Sequence, residues 1–380
     1  AASTATTRVS IIAAKAICHL RGGNTVVVTV DRPAAMTIPM WRAAIASVGD
    51  GGLRWIVVSS DGGLKKLHHP NGKPRVNPTV VINDEAHQFR RDSQRTARMR
   101  SLNRLDTEPS TSVPFVMSVT ATPGHCPTEY RYLSALLAQA HGEPASAWAE
   151  LGPALAAKGL PVDQQRGPRG ERGDWGWNER AGKSSAVRQK ATATVRDWLL
   201  RADPPAMLNR AAPWGPAVLE GMPVELSADQ RRLYLSEWGD FQREMHMARR
   251  GRDKARGLAA ITRFRQKAAM LRVDATVERV VADVEDGYQV LVAVEHVTAA
   301  AEPIAQALAD KGIGVACLYG DRDDLEEQRL LFQRGHAKVA VVNKTSSVSL
   351  HAGEHLSDGT RATTVPRRGY FHQPRYSGIL

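Results

Sequence analysis

The run at residues 25–30, TVVVTV, is continuous, nearly all β-branched, and set between two segments of helix length. A strand without polar alternation has no face to offer water, so it belongs inside a parallel sheet covered on both sides. Comparable runs recur at 55–59, 79–82, 115–119, 223–226, 289–294, 314–318 and 337–342. Helix-period segments separate most of them, at 40–47, 93–105, 130–139, 187–200, 228–247, 258–272, 275–284, 299–311 and 325–332. This alternation predicts an α/β fold built on doubly wound parallel sheets. Near the start, Val9, Ile12, Ala13, Ala16, Ile17 and Leu20 fall at helical spacing, and Gly22-Gly23 ends that helix. A chain of 380 residues exceeds what one core usually organises, so two domains are expected, the second repeating the architecture of the first.

Between the halves, residues 166–185 read RGPRGERGDWGWNERAGKSS, dense in Gly and Arg and without an apolar period. They are expected to be a loop or a disordered excursion. The boundaries expected are a first lobe at 1–125, a helical and flexible insertion at 126–215, and a second lobe at 216–380. Lys and Arg number 51 against 39 Asp and Glu, a surplus of +12 that favours a polyanionic partner. Cys18, Cys126 and Cys317 lie far apart and form no CxxC pair, so neither a zinc knuckle nor a disulfide framework is suggested and a reducing compartment is expected. No apolar run approaches the ~18 residues of a membrane span, so a soluble intracellular protein with no membrane partner is expected. The acid-free start imitates a transit peptide, but it runs into a buried-type strand as a structural helix would.

The chemistry concentrates at strand ends. Asp84-Glu85-Ala86-His87 follows the apolar strand Val80-Val81-Ile82, where ligands bind in open α/β sheets. Adjacent acids there can divide the work: Asp84 holds magnesium through water, and Glu85 orients and deprotonates an attacking water. The second element is Ser118-Val119-Thr120-Ala121-Thr122-Pro123, at the end of the next strand. Small hydroxyls suit that place because they can hydrogen-bond the acidic motif and transmit its state.

These motifs resemble those of superfamily 2 helicases, nearest the Swi/Snf and strawberry-notch branch and its viral relatives. Val26 through Pro33, followed by Trp41, resembles motif Ia; Leu226-Ser227 through Gln230 and Tyr234 resembles the opening of the Swi/Snf second lobe. Residues 289–294, 319–320 and 329–335 resemble motif IV and its sequel, and 343–353, NKTSSVSLHAG, resembles motif V. The resemblance implies two RecA-like lobes with a helical, Gly/Arg-rich insertion between them, using ATP and magnesium to move on nucleic acid, DNA before RNA. It implies catalytic roles for Asp84, Glu85 and His87, coupling through Thr120 and Thr122, and backbone contact by Arg32, Thr345, Ser346 and Ser347. The basic stretch with Arg249, Arg250 and Arg252 is expected to line the same track.

The sequence departs from the family in two ways. No G-x-x-x-x-G-K-[ST] loop precedes the first strand, and no arginine-finger motif follows residues 373–380, which read as its lead-in. Both ends are therefore expected to be cut at catalytic elements, and ATP turnover by these residues alone is expected to be poor. The competing expectation is a nucleic-acid-binding or remodelling module without turnover; a third, an enzyme of small phosphorylated substrates, leaves the basic helices unexplained. Gly182-Lys183-Ser184 is a decoy, because Trp177 stands where the phosphate loop needs glycine. His68-His69 and His351/His355 lack Cys or acidic partners at ligand spacing and read as surface or loop residues. Trp175 and Trp177 suit either base stacking or loop packing.

Overall fold

The computed structural model describes residues 2–31, 34–105, 113–166, 172–209, 220–251, 253–320, 322–343, 349–356 and 359–373. The chain divides into two compact units, residues 2–216 and 217–380. Among the described residues, no helix is long and apolar enough to cross a membrane.

The first unit opens with α1 (Ala2–Arg21), β1 (Thr25–Val30), α2 (Ala34–Val48), β2 (Arg54–Ser59), α3 (Gly62–Lys66), β3 (Val80–Asn83), α4 (Gln94–Asn103) and β4 (Phe115–Ser118). Its sheet runs β2-β1-β3-β4 with every pairing parallel. The pleat sends alternate side chains to opposite faces. Val26, Val28, Val30, Val80 and Ile82 pack with Ile11, Cys18, Trp41 and Ile45 of α1 and α2. Val27 and Val81 enter a separate core with Leu64, Phe89 and Met99. Both faces are thus covered, which is why β1 and β3 contain no alternation. At the β4 edge, Phe115 is 40% exposed; the Arg21 guanidinium lies over its ring at 5.6 Å and donates to the Val113 carbonyl at 2.7 Å.

Residues 126–209, expected as an insertion between the lobes, contribute α5 (Ser134–Ala140), α6 (Leu151–Ala157), β5 (Val162–Arg166), β6 (Arg172–Trp177), α7 (Glu179–Gly182) and α8 (Ser185–Arg201). Tyr130, Leu137, Trp148, Leu155, Val195 and Leu199 from this stretch join the core that contains Val27 and Val81. The expectation of a loop at 166–185 is corrected for the described residues, 166 and 172–185: β5 and β6 pair antiparallel and α7 follows, while 167–171 lie outside the described residues. The pair escapes the period because its anchors are two aromatics, Trp175 and Trp177, packed on the core rather than free for bases. Gly152 permits this seating, since a Cβ there would lie 2.1 Å from Trp175 Cγ. Ser184 of the GKS decoy caps α8, accepting from the Val187 amide.

The second unit comprises α9 (Ala228–Arg250), α10 (Lys254–Met270), α11 (Val273–Glu285), β7 (Gln289–Ala293), α12 (Glu302–Asp310), β8 (Val315–Leu318), α13 (Leu325–Gln333), β9 (Val339–Val342) and β10 (Arg367–Phe371). Its sheet, β10-β7-β9-β8, is again wholly parallel. Val290, Val292, Val339 and Val341 face α11 and α12 residues such as Val277 and Ile304, while Ala293, Ala340 and Val342 face Leu325 and Phe332 of α13. The doubly wound α/β architecture expected from the sequence is therefore present twice. Residues 223–226, expected as a strand, have no strand pairing and lead instead into a Ser227/Gln230 capping box on α9.

Candidate active site

β3 ends at Asn83, and the next residues are held by both neighbouring strand ends. The Asp84 amide donates to the Thr29 carbonyl at 2.9 Å, and the Ala86 amide to the Val119 carbonyl at 2.9 Å. Buried Asn83 is partnered too: the Thr29 hydroxyl donates to its Oδ1 at 3.0 Å. Glu85 turns the chain at φ 49°, ψ 49°, a left-handed conformation that a residue with a Cβ adopts at a cost of about 1 kcal/mol. That turn places two adjacent carboxylates at the C-terminal end of the sheet.

Asp84 is the more enclosed of the two. Its Oδ1 accepts from the Glu85 amide at 3.1 Å, and its Oδ2 from the indole Nε1 of Trp41 at 2.7 Å. Burial pushes its carboxyl up to about 6; the Trp41 bond works against this shift, and the Glu85 and Asp31 charges add to it. A nearby cation would favour the ionised form of a carboxyl so enclosed and so close to Glu85 and Asp31. Among the described residues no group of three His, Cys, Asp or Glu could enclose a metal. Magnesium keeps most of its waters and needs only one or two carboxylates, so Asp84 fits such an ion held through water.

His87 joins the acidic motif to the hydroxyl motif. Its Nδ1 lies 3.2 Å from Glu85 Oε2 and 3.1 Å from Thr120 Oγ1, and the Thr122 amide donates to the same hydroxyl at 3.1 Å. With the proton on Nδ1, the ring donates to the Glu85 carboxylate and the Thr120 oxygen. With Nδ1 bare, Thr120 donates to it and Glu85 is released. The structure thus brings Asp84, Glu85, His87, Thr120 and Thr122 together in one unit. Sequence reasoning missed Trp41 as the Asp84 donor, having assigned it to the motif Ia resemblance. An indole facing a carboxylate leaves no periodic signal.

Arg32, Arg252, Thr345, Ser346 and Ser347 lie outside the described residues. Arg249 and Arg250 are exposed in the last turn of α9. Their basic neighbours are largely neutralised: Arg256 and Arg263 face Glu244 at 2.8 and 3.7 Å, Lys267 faces Glu237 at 3.3 Å, and Arg265 pairs with Glu295. Of the histidines read as surface or loop residues, His68 is buried and its Nδ1 donates to the Leu64 carbonyl, while His351 lies beside the acidic Glu354.

No known family model matches the sequence, and no curated protein matches it. Similar solved structures include the Sulfolobus solfataricus SWI2/SNF2 ATPase core in complex with dsDNA, at 12% identity and TM-score 0.29, covering 84% of this chain and 67% of that one. The Sulfolobus solfataricus SWI2/SNF2 ATPase core domain gives 13% identity, TM-score 0.29, and 88% and 68% coverage. The Pyrococcus furiosus Hef helicase domain gives 15% identity, TM-score 0.22, and 83% and 70% coverage. The fold itself rests on the strand order and register of the two sheets.

Proposed function

We propose that the strand-end site of the first unit hydrolyses ATP, and that the protein couples this hydrolysis to movement on nucleic acid, as a helicase or translocase core of superfamily 2. The observation that carries the reading is the bonded chain from Asp84 and Glu85 through His87 to Thr120 and Thr122. In it, Glu85 orients and deprotonates the attacking water, and Asp84 holds magnesium through water. Magnesium, when bound, supplies positive charge against the phosphates. His87 passes the state of Glu85 to Thr120, because its Nδ1 proton serves one bonding pattern or the other. The surplus of +12 and the exposed Arg249 and Arg250 support a nucleic-acid partner, with DNA favoured.

The test is ATP turnover by the full-length protein with and without duplex DNA, together with Glu85→Gln. The variant should abolish turnover and keep nucleotide binding, since it removes the base and retains the shape. Lost binding would make Glu85 structural. DNA binding by wild type with no turnover would favour the module that grips nucleic acid without hydrolysis.

A further inference from the structure

The charge surplus is concentrated where the motifs do not place it. Residues 62–105 contain ten Lys and Arg against three acids. Two of those acids, Asp84 and Glu85, belong to the strand-end site; the third, Asp92, pairs with Arg131 at 2.9 Å. Residues 67–75, sandwiched between α3 and β3, fold into a tight hairpin. The Arg75 amide donates to the Leu67 carbonyl and the His69 amide to the Lys73 carbonyl, both at 2.8 Å, and Gly72 takes the turn at φ 80°. The Lys73 amide also donates to Asn71 Oδ1 at 3.1 Å. The hairpin is seated on α4: the Ser101 hydroxyl donates to the Gly72 carbonyl at 3.0 Å, and Arg104 donates to Asn77 Oδ1 at 2.8 Å. Arg98 stands one turn before Ser101 on the same stripe of α4.

Lys65, Lys66, Lys73 and Arg75 are exposed. Arg75 donates to the His68 carbonyl and Arg98 to Gln94, both uncharged acceptors. This contrasts with α9 and α10, whose cations mostly face carboxylates. The surface also lacks what other polyanion-like partners need. Among the described residues, no exposed large apolar side chain lies between Leu20 and Phe115. The apolar centre common in protein interfaces and the apolar face of an interfacial helix are thus missing here, and phosphate contact needs neither.

We propose that the hairpin 67–75, seated on α4 and flanked by Lys65 and Lys66, is a docking surface for the phosphate backbone of nucleic acid, separate from the α9–α10 stretch. The surface rests on the reading of the protein as one that acts on nucleic acid. Contacts of this kind hold the duplex in place and carry no base information.

The experiment measures binding of a labelled duplex over a salt series, with wild type and with Lys65→Gln/Lys66→Gln/Lys73→Gln. The log–log salt slope of the triple variant should be shallower by about two to three, near 0.9 per lost contact, with affinity weaker by about tenfold or more at roughly 100 mM salt. Bound duplex should also protect these three lysines from acetylation in the wild type, a readout that does not depend on any variant folding. An unchanged slope with unprotected lysines overturns the surface and leaves the function reading intact. No duplex binding by wild type overturns the function reading itself. Equal capture of poly-glutamate, at the same salt, overturns nucleic acid as the occupant in favour of an acidic protein.

Discussion

Trp41 and Asp84 stand 43 positions apart and meet at 2.7 Å, so one indole fixes one oxygen of the acid proposed to hold magnesium. Trp41 is itself 3% exposed, held in the core of α1, α2 and the sheet. Trp41→Phe preserves most of that packing and removes only the N–H. Hydrogen bonds to a charged group contribute about 1.5–3 kcal/mol, and denaturant unfolding should show a loss of that order. The bond favours the ionised carboxyl, so the variant's Asp84 should titrate higher than the wild-type value of about 6. The stability gap should then be widest near pH 8 and narrow as pH falls through about 6. A gap that does not change with pH would mean that Trp41 acts only as a packed ring.

At the scale of elements, the second unit is tied together by buried polar groups. Arg329 on α13 is 1% exposed, donates to both oxygens of Glu326 at 2.8 Å, and lies 3.8 Å from buried Glu354. Arg329→Ala removes one of the two guanidinium groups acting on enclosed Glu354, leaving Arg367, and should destabilise the second unit by about 3 kcal/mol, measured by calorimetric unfolding. His372, after β10, bonds the Ala269 carbonyl through Nε2 and the Thr276 hydroxyl through Nδ1, both at 2.9 Å, joining α10 and α11 to the sheet. Burial lowers its pKa. The folded form therefore resists a proton that the unfolded chain accepts, so its contribution is whole above pH ~6.5 and lost as pH falls. His372→Gln should be less stable at pH 7.5 yet flatten the decline between pH 6.5 and 5; an equally steep decline would assign it to other groups.

These elements also show what the sequence can and cannot disclose. β1, β3, β7 and β9 are legible because burial on both faces demands unbroken apolar runs. β10, RRGYF, is not, since Arg368 and Tyr370 reach back to Asp283 and Arg367 to Gln289 and Gln333. Those pairings span 34 to 87 positions, and no local period encodes them. Asp84, Glu85, Thr120 and Thr122 were legible as motifs, and their bonding through His87 gives that reading its geometry. The pairing of Arg256, Arg263 and Lys267 on α10 with Glu244 and Glu237 on α9 is a matter of helix contact, invisible to a count of charges.

At the scale of the whole molecule, both parallel sheets are open among the described residues, each with two edge strands there. An edge strand offers unsatisfied amides and carbonyls to any other strand, and β4 offers a half-exposed phenylalanine as well. Arg21 occupies that position, its side chain laid over the Phe115 ring and its guanidinium on the Val113 carbonyl. A charge at a sheet edge disfavours edge-to-edge pairing, and a net +12 adds like-charge repulsion between copies. Salt screens the second safeguard and Arg21→Ala removes the first. Light scattering of that variant in high salt should therefore show concentration-dependent association that wild type resists. One arginine laid along a strand edge would thus govern how readily two copies of the chain join edge to edge.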